Sequence, residues 1–202
     1  MAVGFVRGVV PVLLPSQLTR FRTYKQNESV KVQCTLTEGE AGSVLKAAQI
    51  AVIFAVGNNG PPQSSSLSPA NYPGGFSVGA IDKSLALARF SSRGPSACDG
   101  GIYPKLVAPG VNIKTTDLTF RGVFPNSYAI VTGTSFAAAH VTGAMALLKS
   151  AFPQLTVSET ESALKESAQD LGEAGADHNY GYGMINLIGA YNYLLSKQTK
   201  GK

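Results

Sequence analysis

A glycine-containing turn that leads directly into a long helix, between Val131 and Ala144, constrains the fold most. Gly133 permits a backbone turn that a residue with a Cβ resists. After this turn, small and apolar residues recur at helical spacing: Ala137, Val141, Ala144, Met145, Leu148 and Phe152. The sequence therefore predicts a helix of roughly four to five turns that ends before Pro153, with Ser135 in its first turn.

Ser135 is a candidate nucleophile because of this position. The first turn of a helix carries unpaired N–H groups and the positive end of the helix dipole. A serine there can present its hydroxyl to a carbonyl carbon, while its own N–H stabilises the oxyanion that forms. Gly-Thr-Ser alone equally fits a Thr or Ser N-cap on a buried helix.

Asn58 is the second candidate. The apolar run 50–56 predicts a strand buried on both faces of a parallel sheet, and it ends in Gly57-Asn58-Asn59-Gly60. Functional groups of open α/β sheets gather beyond the carboxyl ends of strands, which is where Asn58 falls. The alternative is an ordinary turn, since Asn and Gly both form turns.

The longer sequence around Ser135 resembles a motif of a known family. Gly133 to Ala144 reads Gly-Thr-Ser-x-Ala-Ala-x-His-Val-x-Gly-Ala and closely resembles the nucleophile motif of the subtilisin-like serine peptidases. Phe136 stands where Met is common in the family, and Ala139 where Pro is common. Neither difference removes a reacting group.

The strand end Ala-x-Gly-Asn-x-Gly resembles the family segment that carries the oxyanion-hole asparagine. The resemblance implies an α/β fold, a subtilisin-like parallel sheet flanked by helices, that acts on a polypeptide substrate. It assigns the nucleophile and one oxyanion N–H to Ser135, and the other oxyanion donor to Asn58. It implies no cofactor and no metal.

The resemblance covers residues 43–195, between a divergent segment 1–42 and a basic tail 196–202. In the family, an aspartate in an Asp-Thr-Gly-like turn and a histidine in His-Gly-Thr-His precede the oxyanion asparagine. Residues 1–57 contain no histidine and no aspartate, and the first aspartate is Asp82. We therefore expect an N-terminally truncated sheet with an exposed apolar edge and faces, partly covered by residues 1–40. Such a sheet is expected to be poorly soluble or to associate with a complementary N-terminal segment.

Neither histidine is placed to act as the base. His140 follows Ser135 by five residues on one helix, about 140° around the axis and roughly 7.5 Å along it. We expect its ring to be hydrogen-bonded and packed inside. His178 lies in a polar loop, and an esterase that uses it as a displaced base requires the loop to reach Ser135.

The sequence thus predicts a fragment of a serine endopeptidase that lacks the triad His and Asp and is inactive alone. The alternative is a non-catalytic remnant that binds peptides or a partner through the residual cleft. Secretion follows only from the resemblance, because Arg7 and Pro11 make the N-terminal segment a poor signal peptide.

Charge and composition argue against other partners. The basic residues are in excess only at the two ends of the chain, so no nucleic-acid-binding face is expected. No apolar run approaches the roughly twenty residues of a membrane span. The two cysteines, Cys34 and Cys98, can pair or stay free.

Periodicity and turn signals place the remaining elements. A short helix is predicted within 41–49 and a capping box at Thr156-Val157-Ser158-Glu159. Predicted strands are 29–36, 75–81 and 88–95, the last of which runs into a turn, and a strand within 105–113 that Pro109-Gly110 breaks. A hairpin is predicted over 120–131, and a last helix opens at 180–186.

Overall fold

The computed structural model of the protein describes residues 3–6, 9–12, 43–117 and 127–200. Within these ranges, strands β1 to β7 are Val3–Val6, Val9–Val12, Ala51–Ala55, Phe76–Ile81, Leu106–Pro109, Ile113–Thr116 and Tyr128–Val131. Residues 43–47 are helical and form α1. The longer helices α2, α3 and α4 are Thr134–Ala151, Val157–Glu166 and Leu187–Lys200.

A sheet in the order β2-β1-β3-β4-β5 forms the centre of the fold. Strands β3, β4 and β5 are parallel, with Ile53 opposite Phe76 and Val78 opposite Leu106. Every residue of β4 is buried, as expected for a parallel strand covered on both faces. The predicted α/β fold, a parallel sheet flanked by helices, is confirmed.

The edge of β3 is covered by the N-terminal segment. Strand β1 runs antiparallel to β3, with Val3 opposite Phe54 and Val6 opposite Ala51, and β2 pairs with the other side of β1. The expectation of an exposed edge is therefore wrong at β3, and residues 3–6 cover the gap as the sequence suggested. Pairing supplies partners for main-chain groups that an open edge leaves exposed.

Helix α2 packs across β1, β3, β4 and β5 and holds the core together. Its buried residues are Thr134, Ala137, Ala138, Val141, Ala144, Met145 and Leu148. The predicted start and end of this helix are both confirmed. The capping box of α3 is confirmed too, because Thr156 Oγ1 accepts from the Glu159 N–H at 3.2 Å and the Glu159 carboxylate accepts from the Thr156 N–H at 2.7 Å.

The strand predicted at the start of 88–95 is wrong, although the turn predicted to follow it is present. Asp82 Oδ1 accepts from the N–H groups of Ser84 and Ala86, which closes a tight turn and leaves one isolated bridge between Ile81 and Leu87. A second turn follows, in which the Ser91 N–H donates to the Ala88 carbonyl. These turns satisfy the main chain locally, so no strand extends through the segment.

Strand β7 of the predicted hairpin pairs antiparallel with β6, from Tyr128 opposite Thr116 to Val131 opposite Ile113. The predicted start of the hairpin and the strand predicted over 29–36 lie outside the described residues.

Cys98 is in a disulfide bond, and Cys34 lies outside the described residues. Among the helices in the described ranges, none is long and apolar enough to cross a membrane.

Candidate active site

The nucleophile turn, residues 132–135, joins β7 to α2 and rests on the end of β5. The Gly133 N–H donates to the Gly110 carbonyl at 2.8 Å, and the Asn112 N–H donates to Thr132 Oγ1 at 2.9 Å. A Cβ added at Gly110 would lie 2.6 Å from the Ala80 Cβ and 2.9 Å from the Gly133 carbonyl oxygen. The turn can therefore approach the sheet this closely only because residue 110 has no side chain.

Ser135 lies half-buried in the first turn of α2. That turn contains no acidic residue, and Gly133 provides no side-chain cap. The neighbouring N–H groups are used, since Thr134 donates to Asn58 Oδ1 and Phe136 donates to the Gly133 carbonyl. The Ser135 N–H is thus left beside its own hydroxyl at the positive end of a helix of 18 residues.

Asn58 lies at the carboxyl end of β3, and its side-chain amide is oriented by Thr134. Asn58 Oδ1 accepts from the Thr134 N–H at 3.1 Å and from Thr134 Oγ1 at 2.9 Å. Because only the amide oxygen can accept from an N–H, these bonds place Oδ1 on the Thr134 side of the amide and Nδ2 on its other side. A Cβ at Gly133 would lie 3.7 Å from Nδ2, so this donor lies beside the nucleophile turn.

The loop that carries Asn58 is held by Ser92, which is completely buried. Ser92 Oγ accepts from the Asn59 N–H at 3.1 Å, and the Ser92 N–H donates to the Gly57 carbonyl at 3.0 Å. The Gly60 N–H donates to the Phe90 carbonyl at 2.8 Å. The loop is therefore hydrogen-bonded on both sides of Asn58.

A buried tyrosine holds the end of the preceding strand. The Tyr103 hydroxyl donates to the Val56 carbonyl at 2.7 Å and accepts from the Leu67 N–H at 3.4 Å. Burial raises the pKa of Tyr103, which keeps this hydroxyl protonated and able to donate.

Sequence reasoning missed three residues of this arrangement: Thr134, Ser92 and Tyr103. Thr134 was visible only as part of the Gly-Thr-Ser motif, and Ser92 only as part of Ser-Ser-x-Gly-Pro. Nothing in the local sequence around Tyr103 indicates that it reaches the end of β3.

His140 is hydrogen-bonded as predicted, but it is not packed inside. Its Nδ1–H donates to the Phe136 carbonyl one turn earlier at 2.8 Å, and the side chain is exposed. The prediction of a buried ring is wrong because no described element covers this face of α2.

His178 lies against a different loop. Its main-chain carbonyl accepts from the Gly94 N–H at 3.0 Å, and a Cβ added at Gly94 would lie 2.9 Å from its Nδ1. That Nδ1 is buried without a hydrogen-bond partner in the described part of the chain. The nucleophile turn instead contacts Gly110 and Asn58, so the displaced-base alternative gains no support from these contacts.

A cavity of about 50 Å³ lies elsewhere, and its lining includes neither Ser135 nor Asn58. It is bordered by Val52 and Phe54 of β3 and by the ion pair of Lys46 with Glu161.

No group of three His, Cys, Asp or Glu residues able to hold a metal ion occurs in the described ranges. The groups at the nucleophile turn are the Ser135 hydroxyl and N–H, with the Asn58 Nδ2 donor beside Gly133.

The chain is similar to known proteins in sequence and in fold. A family model described as "Subtilase family" matches residues 21–183. Bacillopeptidase F of Bacillus subtilis (strain 168) is 37% identical over 156 residues, which cover 72% of this chain and 10% of that protein. Subtilisin DY of Bacillus licheniformis is 35% identical over 147 residues, covering 71% of this chain and 47% of that protein.

Subtilisin BL of Lederbergia lenta is 37% identical over 143 residues, covering 70% of this chain and 46% of that protein. The crystal structure of the psychrophilic subtilisin-like protease Apa1 from the Antarctic psychrotroph Pseudoalteromonas sp. AS-11 superposes with a TM-score of 0.69. It is 19% identical, and the match covers 83% of this chain and 69% of that one. The chain spans less than half the length of the three curated relatives.

Proposed function

Because this chain belongs to the subtilase family, we propose that it supplies the nucleophile half of a serine endopeptidase site. Ser135 Oγ attacks the carbonyl carbon of a peptide bond, and the carbonyl oxygen takes up the negative charge. The Ser135 N–H and Asn58 Nδ2 stabilise that oxyanion from two sides. The observation that carries the proposal is the double hydrogen bond from Thr134 to Asn58 Oδ1, which fixes the orientation of the amide and leaves Nδ2 beside Gly133, 3.7 Å from where a Cβ of that residue would lie.

The hydroxyl of Ser135 needs a base that takes its proton and then delivers it to the leaving amine. The His140 side chain lies on the exposed side of α2, pointing away from Ser135, and its Nδ1–H donates to the Phe136 carbonyl. His178 is held in the loop beside Gly94. We therefore assign the base and its orienting carboxylate to a complementary N-terminal segment, defined as the part of a subtilase domain that precedes the oxyanion asparagine.

Without that segment, the chain is expected to cleave peptide bonds no faster than background. Loss of the base in subtilisin, a member of this family, removes roughly 10⁶ of the rate. The remaining oxyanion donors stabilise charge but leave the proton on Ser135.

The test is reconstitution with the N-terminal part of subtilisin DY. The full chain is incubated alone and with that segment, association is followed by size-exclusion chromatography, and cleavage of a peptide p-nitroanilide is followed by absorbance. We expect cleavage by the complex, none by the chain alone, and none by a complex that carries Ser135→Ala.

An associated complex without Ser135-dependent cleavage would overturn the proposed role of Ser135. Cleavage by the pure chain that disappears in Ser135→Ala would overturn the assignment of the base to another segment. The second candidate, a peptide-binding remnant, predicts peptide affinity that is unchanged by Ser135→Ala. The cavity beside Lys46 and Glu161 is not lined by Ser135, so it is not evidence for this candidate.

A further inference from the structure

Tyr103 is buried against the base of the loop that carries the oxyanion donor. It is 1% exposed and lies shortly before β5, 47 residues from Val56 in the sequence. Together with Val56 and Ala70 it forms a small apolar cluster that is separate from the main core. The oxyanion loop, defined as residues 57–66, begins directly after Val56 and ends directly before Leu67. The tyrosine therefore lies where the two ends of this loop meet.

The Tyr103 hydroxyl joins these two ends. It donates to the Val56 carbonyl at 2.7 Å and accepts from the Leu67 N–H at 3.4 Å. A phenolic hydroxyl can donate and accept at the same time, so one group serves both ends. A phenylalanine would fill the same space, but it would leave both main-chain groups without this partner.

The ends of the oxyanion loop determine where Asn58 lies. Gly57, the one residue between Val56 and Asn58, has a φ of 97°, in the left-handed region that favours glycine. A Cβ at Gly57 would lie 2.4 Å from Leu67 Cδ1, so the far end of the loop packs directly against the residue before Asn58. A shift of Leu67 is therefore passed on to Asn58 through this contact.

We propose that Tyr103 is a positioning residue for the oxyanion donor: its hydroxyl holds the two ends of the oxyanion loop together and so keeps Asn58 Nδ2 beside the nucleophile turn. This inference rests on the proposed function, because the role of Asn58 as a donor belongs to it. Tyr103 is buried away from any substrate and acts only through the loop.

The other contacts of Asn58 do not replace this one. Thr134 fixes the rotation of the Asn58 amide, and Ser92 holds the main chain on either side of it. None of these bonds involves Val56 or Leu67, so they do not connect the two ends of the loop. Position matters here because an oxyanion donor acts at about 2.7–3.1 Å, and a displacement of about 1 Å can cost on the order of 100-fold in rate.

The test is Tyr103→Phe in the full chain, with Tyr180→Phe as the matched control. The Tyr180 hydroxyl also accepts from a main-chain N–H, that of Leu87 at 3.1 Å, but it joins no end of the oxyanion loop. The loop is bonded to residues 90–94 as well, so both variants should keep the circular dichroism of the wild type. Each variant is combined with the N-terminal part of subtilisin DY, and kcat and KM are measured with a peptide p-nitroanilide.

Tyr103→Phe should lower kcat by about 10- to 100-fold, which is part of the loss that follows removal of an oxyanion donor, and leave KM within about twofold. Tyr180→Phe should change neither. In an Asn58→Ala background, Tyr103→Phe should lower kcat by less than about twofold, because the donor that it positions is already gone. Losses that multiply in the double variant would overturn the inference, and so would a wild-type kcat in the folded Tyr103→Phe variant.

A second measurement needs no activity. The Asn58 side-chain amide gives proton–nitrogen NMR cross-peaks in the isolated chain, which are assigned by their loss in Asn58→Ala. These cross-peaks should shift or broaden in Tyr103→Phe and stay in place in Tyr180→Phe, and unmoved cross-peaks in Tyr103→Phe would contradict the positioning role. The proposed function fails differently, since the wild-type complex would then form without Ser135-dependent cleavage while the spectra still decide whether Tyr103 positions Asn58.

Discussion

Replacement of Gly110 by alanine tests whether the nucleophile turn is seated on the sheet as closely as the structure shows. The added Cβ would lie 2.6 Å from the Ala80 Cβ, 2.9 Å from the Gly133 carbonyl oxygen and 3.3 Å from the Ala137 Cβ. Carbon atoms in contact are normally about 3.5–4.0 Å apart, so α2 or β4 must shift by roughly 1 Å. None of these atoms ends a flexible side chain, so rotation about a side-chain bond cannot relieve the contact.

Overpacking of this kind costs about 1–3 kcal/mol. The same shift stretches the 2.8 Å bond from the Gly133 N–H to the Gly110 carbonyl, and loss of that bond would add about 1 kcal/mol. We therefore expect Gly110→Ala to lower the free energy of unfolding by about 2–4 kcal/mol.

The matched control is Gly143→Ala, also a glycine to alanine change, for which the structure predicts the opposite sign. Nothing lies within 4 Å of its added Cβ, so the variant should gain about 0.5–1 kcal/mol from helix propensity. The chain has no tryptophan, so urea unfolding is best followed by the circular dichroism of the helices. A Gly110→Ala variant as stable as the wild type would refute the close approach of α2 to the sheet.

Three further changes test the core, a helix cap and a buried carboxylate. Leu148→Ala should cost about 2–5 kcal/mol because Leu148 is 1% exposed, whereas Leu147→Ala, at 60% exposure, should stay within about 0.5 kcal/mol; equal losses in urea unfolding would contradict the orientation of α2. Thr156→Ala should cost about 1 kcal/mol by removing the cap of α3, and an unchanged urea midpoint would argue against that cap. Burial raises the pKa of Glu161 above its ordinary value of 4.5, although Lys46 pairs with it. At a pH between the ordinary pKa and the raised pKa, Glu161 keeps a proton in the native chain that it has lost in the unfolded chain, so the free energy of unfolding falls as pH rises through this window. Glu161→Gln should remove that fall in urea titrations at about pH 4 and 7, and a pH profile identical to that of the wild type would contradict the raised pKa.

The elements that the sequence predicted correctly depend on short stretches of chain. The turn at Gly133, the helix that follows it and the capping box of Thr156 each follow from residues within a few positions of one another. Helical spacing and capping chemistry act over one or two turns, so the printed sequence contains what they need. The same holds for the apolar run that became β3.

The failed predictions have two causes. Some segments contact partners that lie far away in the chain, and others form turns in place of a predicted strand. One turn at Asp82 precedes the segment 88–95 and a second closes at Ala88, so no strand forms there. Whether the His140 ring is buried depends on what covers α2, which the residues around His140 do not specify. The covered edge of β3 depends on residues 3–6, which no local pattern connects to Ala51–Ala55.

By itself, the sequence determined the fold class, the position of Ser135 in the first turn of a helix and the place of Asn58 after a buried strand. Their roles as nucleophile and oxyanion donor stay predictions until reconstitution is measured. Only the tertiary structure decided how the Asn58 amide is turned, because its partner Thr134 is 76 residues away in the sequence. Only it revealed the space that the described residues leave beside Gly143, because the space around a side chain depends on how distant elements pack together, which local spacing along the chain does not specify.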